Sequence, residues 1–390
     1  MIPYGMQHID EEDIAAVVAV LRSGSLSQGP AIAAFEAAVA EYVGARYAVA
    51  VSSCTAALHL AAMAADVGPG RALVTSPITF VASANAASYT GGRAVFADID
   101  PATINLCPNS LREALCNTQG ARAVVAVHFA GLPCDMPAIH EISTAAGVSV
   151  IEDAAHALGA SYPDGGMVGN CAYSLMTVFS FHPVKAICAG EGGMITTNDE
   201  AVYRRLLRLR SHGINKLDDP WSIPEQAITD GVHNPWYYEM QEVGYHYRIT
   251  DMQCGLALSQ LKKLDKFIKR RKQLVKRYDA AFSNMPACRP AQVAGRDNSA
   301  HHLYVLRVDF QTLGSSRAQI IHALRARGIT TQVHYIPVTM QPYYRGLGVD
   351  PASYPDAQRY YQEALSIPLF YGLTDEQQEY VISAFKDLLA

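Results

Sequence analysis

Lys185 closes the run Phe179-Ser180-Phe181-His182-Pro183-Val184-Lys185, and Gly190-Glu191-Gly192-Gly193 follows it. Flanked by Pro183, Val184, Ala186 and Ile187, its amine is expected to be partly desolvated. Burial disfavours the charged form, so the pKa falls and some free amine is left to attack a carbonyl. Such an amine suits a Schiff base; the alternative is a strand-end lysine that snorkels to solvent. Upstream, Val150-Ile151-Glu152-Asp153-Ala154-Ala155-His156 puts acids at the carboxyl end of an expected parallel strand, where open α/β sheets bind ligands. Asp153 is placed to meet a ligand there, with His156 orienting the carboxylate or lining the ligand's ring; otherwise Asp153 caps a helix and His156 is simply packed. In Val51-Ser52-Ser53-Cys54-Thr55-Ala56-Ala57-Leu58 a strand passes into a helix, and the Cys54 and Thr55 amides at that N-terminus can take a phosphate or belong to a plain N-cap. Ser180 adds a hydroxyl, and Phe80 is either a flat ring for a planar cofactor or a core phenylalanine. Phosphate cup, stacking aromatic, strand-end carboxylate and lysine together suit pyridoxal phosphate. A carboxylate beside its ring nitrogen keeps that nitrogen protonated, and the pyridinium withdraws electrons from a carbanion.

The elements that must position these residues follow from period and composition. From Tyr47 to about Ile151, short β-branched runs alternate with Ala-rich stretches, the pattern of βαβ units around a parallel sheet. The expected strands are Ala48–Ser52, Ala72–Thr75, Ala94–Ala97, Ala123–Val127 and Val148–Ile151, with Thr177–Phe181 and Met194–Thr197 extending the sheet to about seven. Helices are expected at Thr55–Ala65, Pro108–Cys116 and Met136–Ala146. Asp218–Gln241 mixes Pro, Trp, Asp and Gly without period and reads as a long surface loop. From Thr250 to about Ala281 the pattern is helical, with the basic run Lys262–Lys276 on its exposed side, and this helix is expected to bridge to a second unit. That unit reads as strand Leu303–Asp309, helix Arg317–Arg327 capped by Ser316 with Gln319 as box partner, strand Thr330–His334 and a final helix after Thr374. The expected organisation is an α/β domain over residues 1–250 and a linking helix with a small α+β domain over 251–390.

With 390 residues, half of them apolar and 17% charged, the chain is long enough for a substantial core and two or three domains. The balance of 31 basic and 36 acidic groups leaves a formal charge of -5 and no Lys/Arg stripe, so small molecules are expected as partners rather than nucleic acid. The 8 cysteines are scattered without the close pairing of a zinc site or redox motif, so reduced thiols and no metal are expected. The first residues show no basic and apolar leader, and no run of 18 apolar residues occurs, from which a cytoplasmic protein without a membrane span is expected.

Across essentially the whole length, the chain resembles the fold-type I pyridoxal-phosphate aminotransferases of the DegT type, which act on nucleotide-linked keto-sugars. The likeness is carried by Ser23–Gly29, Thr75–Ala82, Val127–Pro133, Ile151–Gly159, Phe179–Gly193, Ser211-His212-Gly213 and Gly244-Tyr245-His246-Tyr247-Arg248-Ile249-Thr250-Asp251. Within that family it is most similar to UDP-4-amino-4,6-dideoxy-N-acetyl-β-L-altrosamine transaminases of pseudaminic acid synthesis, through Ser76–Ala82, Pro235-Trp236-Tyr237-Tyr238 and Gln332–Pro337. The resemblance implies a mostly parallel seven-stranded sheet with helices on both faces and a smaller α+β domain. It also implies that Lys185 forms the Schiff base, Asp153 pairs with the pyridine nitrogen, Ser180 and the Cys54–Thr55 amides hold the phosphate, and His156 and Phe80 border the ring. A homodimer is implied, each site built from two chains, in which the family often uses an Asn to reach the partner's phosphate; this sequence has His246 there.

The implied reaction moves an amino group from L-glutamate, leaving 2-oxoglutarate, to C4 of a UDP-linked keto-sugar. Arg248, His334 and Tyr335 are candidates to bind the nucleotide diphosphate, with packing in the second domain as the alternative for the latter two. Other readings are a sugar 3- or 4-aminotransferase making a different amino sugar, and a pyridoxal-phosphate-binding sensor without turnover. Dehydratases of the family carry histidine in place of the lysine, and no G-x-G-x-x-G follows a strand as a nicotinamide dehydrogenase would require.

Overall fold

The computed structural model describes residues 1–215 and 220–389. Its N-terminal body runs α1 (Glu11–Ser23), α2 (Pro30–Val43), β1 (Tyr47–Val51), α3 (Cys54–Ala64), β2 (Ala72–Thr75), α4 (Val81–Tyr89), β3 (Arg93–Phe96), α5 (Pro108–Cys116), β4 (Ala121–Val127), α6 (Met136–Ala145), β5 (Ser149–Asp153), β6 (Met176–Ser180), β7 (Gly193–Thr197) and α7 (Glu200–Arg210). The strands form one seven-stranded sheet in the order β1-β7-β6-β5-β4-β2-β3. Neighbours from β6 to β3 pair in parallel, and β7 alone runs against both β1 and β6.

Strand period explains why helices lie on both faces. Ala48, Ala50, Val124, Ala126 and Val150 join one core with α2, α5 and α6. Their alternate neighbours Val49, Val51, Ala123, Val125 and Ile151 join the other with α3, α4 and α7. Both faces are apolar, so the strands read as near-continuous hydrophobic runs. All seven expected strands form, with ends moved by a residue or two; α1, α2, α4 and α7 lie outside the helices expected from the sequence.

Beyond α7, Asp218 and Asp219 of the expected surface loop lie outside the described residues. β8 (Ile214–Asn215) precedes it, and the rest of that stretch carries short elements: α8 (Pro224–Ala227), β9 (Ile228–Thr229), β10 (Val232–His233) and β11 (Glu239–Met240). The Glu239 carboxylate knits it by accepting from the amides of Ser222 (2.7 Å) and Ile223 (2.8 Å).

The expected helix from Thr250 is two helices, α9 (Asp251–Leu261) and α10 (Leu264–Phe282). The break at Lys263 turns its amine back onto α1, where Asp10 lies at 2.5 Å and the buried Asp13 at 2.8 Å. Cys254, Ala257, Leu261, Leu264, Phe267 and Ile268 pack in the sheet's core. Leu274, Val275, Tyr278 and Phe282 of α10 instead pack in the core of the C-terminal unit. That unit holds β12 (Cys288–Pro290), β13 (Tyr304–Val308), α11 (Arg317–Ala326), α12 (Pro342–Gly346), α13 (Pro355–Glu363), β14 (Ala364–Ile367) and α14 (Asp375–Leu389). Its sheet, β12-β13-β14, is antiparallel. The expected capping box of Ser316 and Gln319 is present. The expected strand Thr330–His334 does not form as a strand: pairing there is limited to isolated bridges, Ile329 to Ile2 in parallel and Gln332 to Ser366 antiparallel, so no ladder runs through it.

Two separated motif blocks meet physically. Gly29 begins α2 without a side chain to cap it, and Asp251 supplies the cap from the far end of the sheet domain, accepting from the Gly29 (2.7 Å) and Ala31 (2.9 Å) amides. A Cβ on Gly29 would lie 2.7 Å from an Asp251 oxygen, so only glycine lets the carboxylate in. The same turn reaches toward Lys185: Gln253, in the capping box of α9, donates to the Glu191 carbonyl at 2.8 Å and fastens the glycine-rich segment after the lysine.

Candidate active site

The carboxyl ends of β5 and β6 and the start of α3 converge. Ser53 caps α3 by accepting from the Ala56 amide at 3.1 Å, and its carbonyl takes the Ala57 amide at 3.0 Å. The Cys54 and Thr55 amides, ahead of any intrahelical acceptor, are left at the positive end of the helix. β7 closes against that end at Gly193, where a Cβ would stand 2.5 Å from the Ser53 carbonyl oxygen and 2.7 Å from the Cys54 nitrogen. Gly193 pairs with Ser180, so the antiparallel register sets Ser180 opposite the residue that packs on the start of α3.

Asp153, the last residue of β5, is buried and held from two sides. Ser83 of α4 donates to one oxygen at 2.6 Å, and the Ala155 amide donates to the other at 3.1 Å. Thr79 shares a 2.7 Å hydrogen bond with Ser83, completing a short relay. Lys185 follows β6 in an irregular turn closed by its amide to the His182 carbonyl (2.9 Å). Burial lowers the Lys185 pKa, and the fields of Cys54 and Asp153 oppose that without reversing it. Burial, with Asp153 adding to it, holds the Cys54 thiol well above its ordinary value, so it stays neutral and offers its backbone amide.

His156 lies on the other flank. Its Nε2 is 3.1 Å from the Tyr335 hydroxyl, and the two rings stack at 6.2 Å with 17° between planes. Burial and then the Lys185 charge keep His156 neutral, its pKa well below the ordinary value. His334 accepts or donates at Nδ1 to Ser366 (2.8 Å), and burial followed by Lys185 brings its pKa down to about 3. Phe80, at the N-cap of α4, is 59% exposed with its ring 6.4 Å from Tyr335, so it borders the cluster rather than filling the core. His246 is exposed and meets Ser211 in a bridge and the His212 ring at 5.5 Å. Arg248 reaches the Ser211 hydroxyl at 3.5 Å. Their loop is tied to the cup by the Ser52 amide, which donates to the Tyr247 carbonyl at 2.8 Å.

Contacts and fields thus link Cys54, Asp153, His156, Lys185, His334, Tyr335 and Phe80 in one cluster, with Thr55 in the first turn of α3 and Ser180 at the end of β6, while His246 and Arg248 meet Ser211 and His212. Sequence reasoning did not single out Ser83, Thr79 or His302. The i, i+4 spacing of Thr79 and Ser83 at a helix start was the available signal for the first two. His302 had none, since its neighbour His156 is far away in the chain.

The donor set fits pyridoxal phosphate: free helix-end amides and a hydroxyl for the phosphate, a buried anion for the pyridinium, and a desolvated amine for the aldehyde. Gly193 keeps the cup open, since any side chain there would displace the start of α3. Fold and donor set define the class of the fold-type I pyridoxal-phosphate transferases.

The chain belongs to the DegT/DnrJ/EryC1/StrS aminotransferase family, whose model matches residues 7–386. It is 41% identical over 390 residues to the spore coat polysaccharide biosynthesis protein SpsC of Bacillus subtilis, covering 100% of this chain and 97% of that one. Among solved structures it matches Helicobacter pylori PseC, an aminotransferase involved in the biosynthesis of pseudoaminic acid, with TM-score 0.88 and 28% identity over 100% of this chain and 99% of that one. Streptococcus pneumoniae Spr1654 in its PMP form matches with TM-score 0.88 and 29% identity over 100% and 99% of the two chains, and the same protein matches in its PLP form. The protein is a pyridoxal-phosphate-dependent aminotransferase.

Proposed function

We propose that this aminotransferase moves nitrogen from L-glutamate to C4 of a UDP-linked 4-keto-6-deoxy-N-acetylamino sugar, giving UDP-4-amino-4,6-dideoxy-N-acetyl-β-L-altrosamine, with Lys185 as its catalytic amine. The observation that carries the roles is the buried Asp153 carboxylate, held by Ser83 and the Ala155 amide at the end of β5, with Lys185 within reach of its field. When bound, pyridoxal phosphate supplies the aldehyde that takes up the nitrogen and a pyridinium that withdraws electrons. Asp153 holds the ring-nitrogen proton, and Ser83 and the Ala155 amide keep its carboxylate in place. The Cys54 and Thr55 amides and Ser180 bind phosphate; His156 and Phe80 flank the ring. Lys185, with its pKa lowered, would carry a proton at Nζ from the donor's α-carbon to the bound cofactor, and in the other half of the cycle from the cofactor to C4 of the sugar. Arg248, His334 and Tyr335 bind the nucleotide, and His246 reaches the phosphate of a second copy in a homodimer. The 8 free cysteines support a reducing compartment, the cytoplasm; among the described residues no helix is long and apolar enough to cross a membrane.

The structural match to PseC supports the sugar named here. The higher identity to SpsC, a spore coat polysaccharide protein, favours a second reading, in which the same machinery aminates a different nucleotide-linked keto-sugar. Incubation with glutamate and a panel of defined UDP- and dTDP-linked 3- and 4-keto-sugars, with product analysis by mass spectrometry and NMR, decides between them. Formation of the altrosamine product is expected; amination of only another sugar selects the second reading, and no 2-oxoglutarate with any acceptor overturns both.

A further inference from the structure

His302 belongs to the C-terminal unit, in the segment leading into β13, yet it lies against the sheet domain's His156. The two rings are 4.4 Å apart with 38° between planes, while His156 has Tyr335 at 6.2 Å on a near-parallel plane and Tyr335 has Phe80 at 6.4 Å. A ladder of flat rings therefore runs from the C-terminal unit to the rim of the cofactor site. Nδ1 of His156 and Nδ1 of His302 are both buried and have no hydrogen-bond partner among the described residues, so the contact is one of ring packing.

The backbone around His302 is fixed more firmly than packing of one ring requires. Its amide donates to the Ala130 carbonyl at 2.9 Å, and the Ala300 amide donates to the Gly131 carbonyl at 3.0 Å. Gly131, at φ +97°, makes this approach possible: a Cβ there would lie 2.9 Å from the His156 carbonyl oxygen and 3.0 Å from the His301 and His302 nitrogens. From below, Arg271 of α10 donates to the carbonyls of His301 (3.3 Å), His302 (3.2 Å) and Leu369 (3.0 Å). Arg271 is buried and donates to these carbonyls; burial lowers its pKa to about 10. A buried guanidinium is costly unless its donors are used; here one nitrogen serves three carbonyls that converge on it, while Nε has no partner among the described residues.

We infer that His302 is a positioning residue of the cofactor site, its ring bracing the His156 ring from the C-terminal side and its backbone clamped by Arg271. The inference rests on the reading above that His156 flanks the cofactor. It makes the C-terminal unit part of the site's rigidity: a shift of α10 would move His302, and with it the ring that faces the cofactor. A flat side chain at position 302 suffices for the brace, whereas a short or branched one leaves His156 free to tilt.

The test compares His302→Ala, His302→Leu and His302→Phe in the full-length protein loaded with pyridoxal phosphate. Three quantities are read: the cofactor dissociation constant from absorption titration, the position and pH dependence of the visible band of the lysine-bound cofactor, and the single-turnover rate with glutamate. Circular dichroism and melting temperature control for folding. His302→Ala and His302→Leu are expected to weaken cofactor binding and slow the half-reaction by about tenfold each, as loss of one ring contact predicts, with a shifted band; His302→Phe restores most of both. Should His302→Ala fail to fold, the Leu and Phe variants carry the comparison. Parent-like spectra, affinity and rate in both Ala and Leu, or a Phe variant as impaired as they are, overturn the brace. If the parent itself shows no visible lysine-bound band, the reading of Lys185 fails instead, which separates the two outcomes.

Discussion

Glu152 and Asp153 are adjacent acids on β5 that point to opposite faces of the sheet, and their surroundings differ sharply. Glu152 points into the face packed by α2, α5 and α6 and is saturated: His128 Nε2 lies at 2.8 Å, and the hydroxyls of Tyr162 (2.5 Å), Ser174 (2.5 Å) and Thr177 (3.0 Å) donate to it. The Cys134 amide donates to His128 Nδ1 at 3.1 Å, which leaves the ring proton on Nε2, aimed at the carboxylate. Burial alone would raise the Glu152 pKa, and the bonds from His128, Ser174 and Tyr162 more than reverse it, leaving it below the ordinary value. Asp153 points to the other face, with one side-chain donor, one amide and a lysine within reach of its field. A carboxylate whose acceptor sites are all filled holds the fold together; one with capacity left can serve a ligand.

The comparison breaks if the two acids respond alike to amide substitution. Asp153→Asn is expected to lower kcat by about 100-fold, a loss of the order of a misplaced proton-holding group, with the melting temperature little changed. Stopped-flow turnover with glutamate and calorimetry together check it. Glu152→Gln should do the reverse: about 3 kcal/mol of stability lost by denaturant titration, because buried donors lose their anion, with the absorption of the bound cofactor retained. The pH dependence sharpens the point. A carboxylate with a depressed folded-state pKa stabilises above its unfolded value, about 4.3, and that contribution is lost as pH falls through the folded value. Acid unfolding of the parent should therefore steepen below about pH 4, and Glu152→Gln should flatten that limb.

Smaller effects probe how the Asp153 side is built. Gly193→Ala forces the start of α3 away from β7 and is expected to weaken cofactor affinity by about tenfold, the worth of one or two charge-assisted amide bonds; equilibrium dialysis measures it. Ser83→Ala removes a single bond to Asp153, at a cost of about 1 kcal/mol, and should slow the half-reaction several-fold without releasing cofactor. A Ser83 variant as damaged as Asp153→Asn would mean that the relay, not the carboxylate, carries the site.

Much of this was legible before any coordinates. The sheet was readable because both of its faces are covered, so each strand is an apolar run bounded by turn residues. Asp153, Lys185 and the Cys54–Thr55 turn were readable because each ends or follows a strand, and strand ends on one edge of a parallel sheet share one place. The blocks at Ser23–Gly29 and Gly244–Asp251 were visible separately; that Asp251 caps the helix after Gly29 depends on an approach only the fold creates. Ser83 offered only its i, i+4 spacing from Thr79, and its bond to Asp153 exists only in the fold; His302 offered no signal, since its ring meets His156 across units. Glu152 looked like a twin of Asp153 because period two reverses function between adjacent residues without changing their chemistry.

The central claim is that the Lys185 amine bonds the cofactor. Borohydride reduction of the cofactor-loaded protein, followed by proteolysis and mass spectrometry, tests it directly. A pyridoxyl mass on the peptide containing Lys185, and its disappearance when glutamate is added before the reductant, is the predicted result; an untagged Lys185 peptide, or a tag on another lysine, would contradict the account.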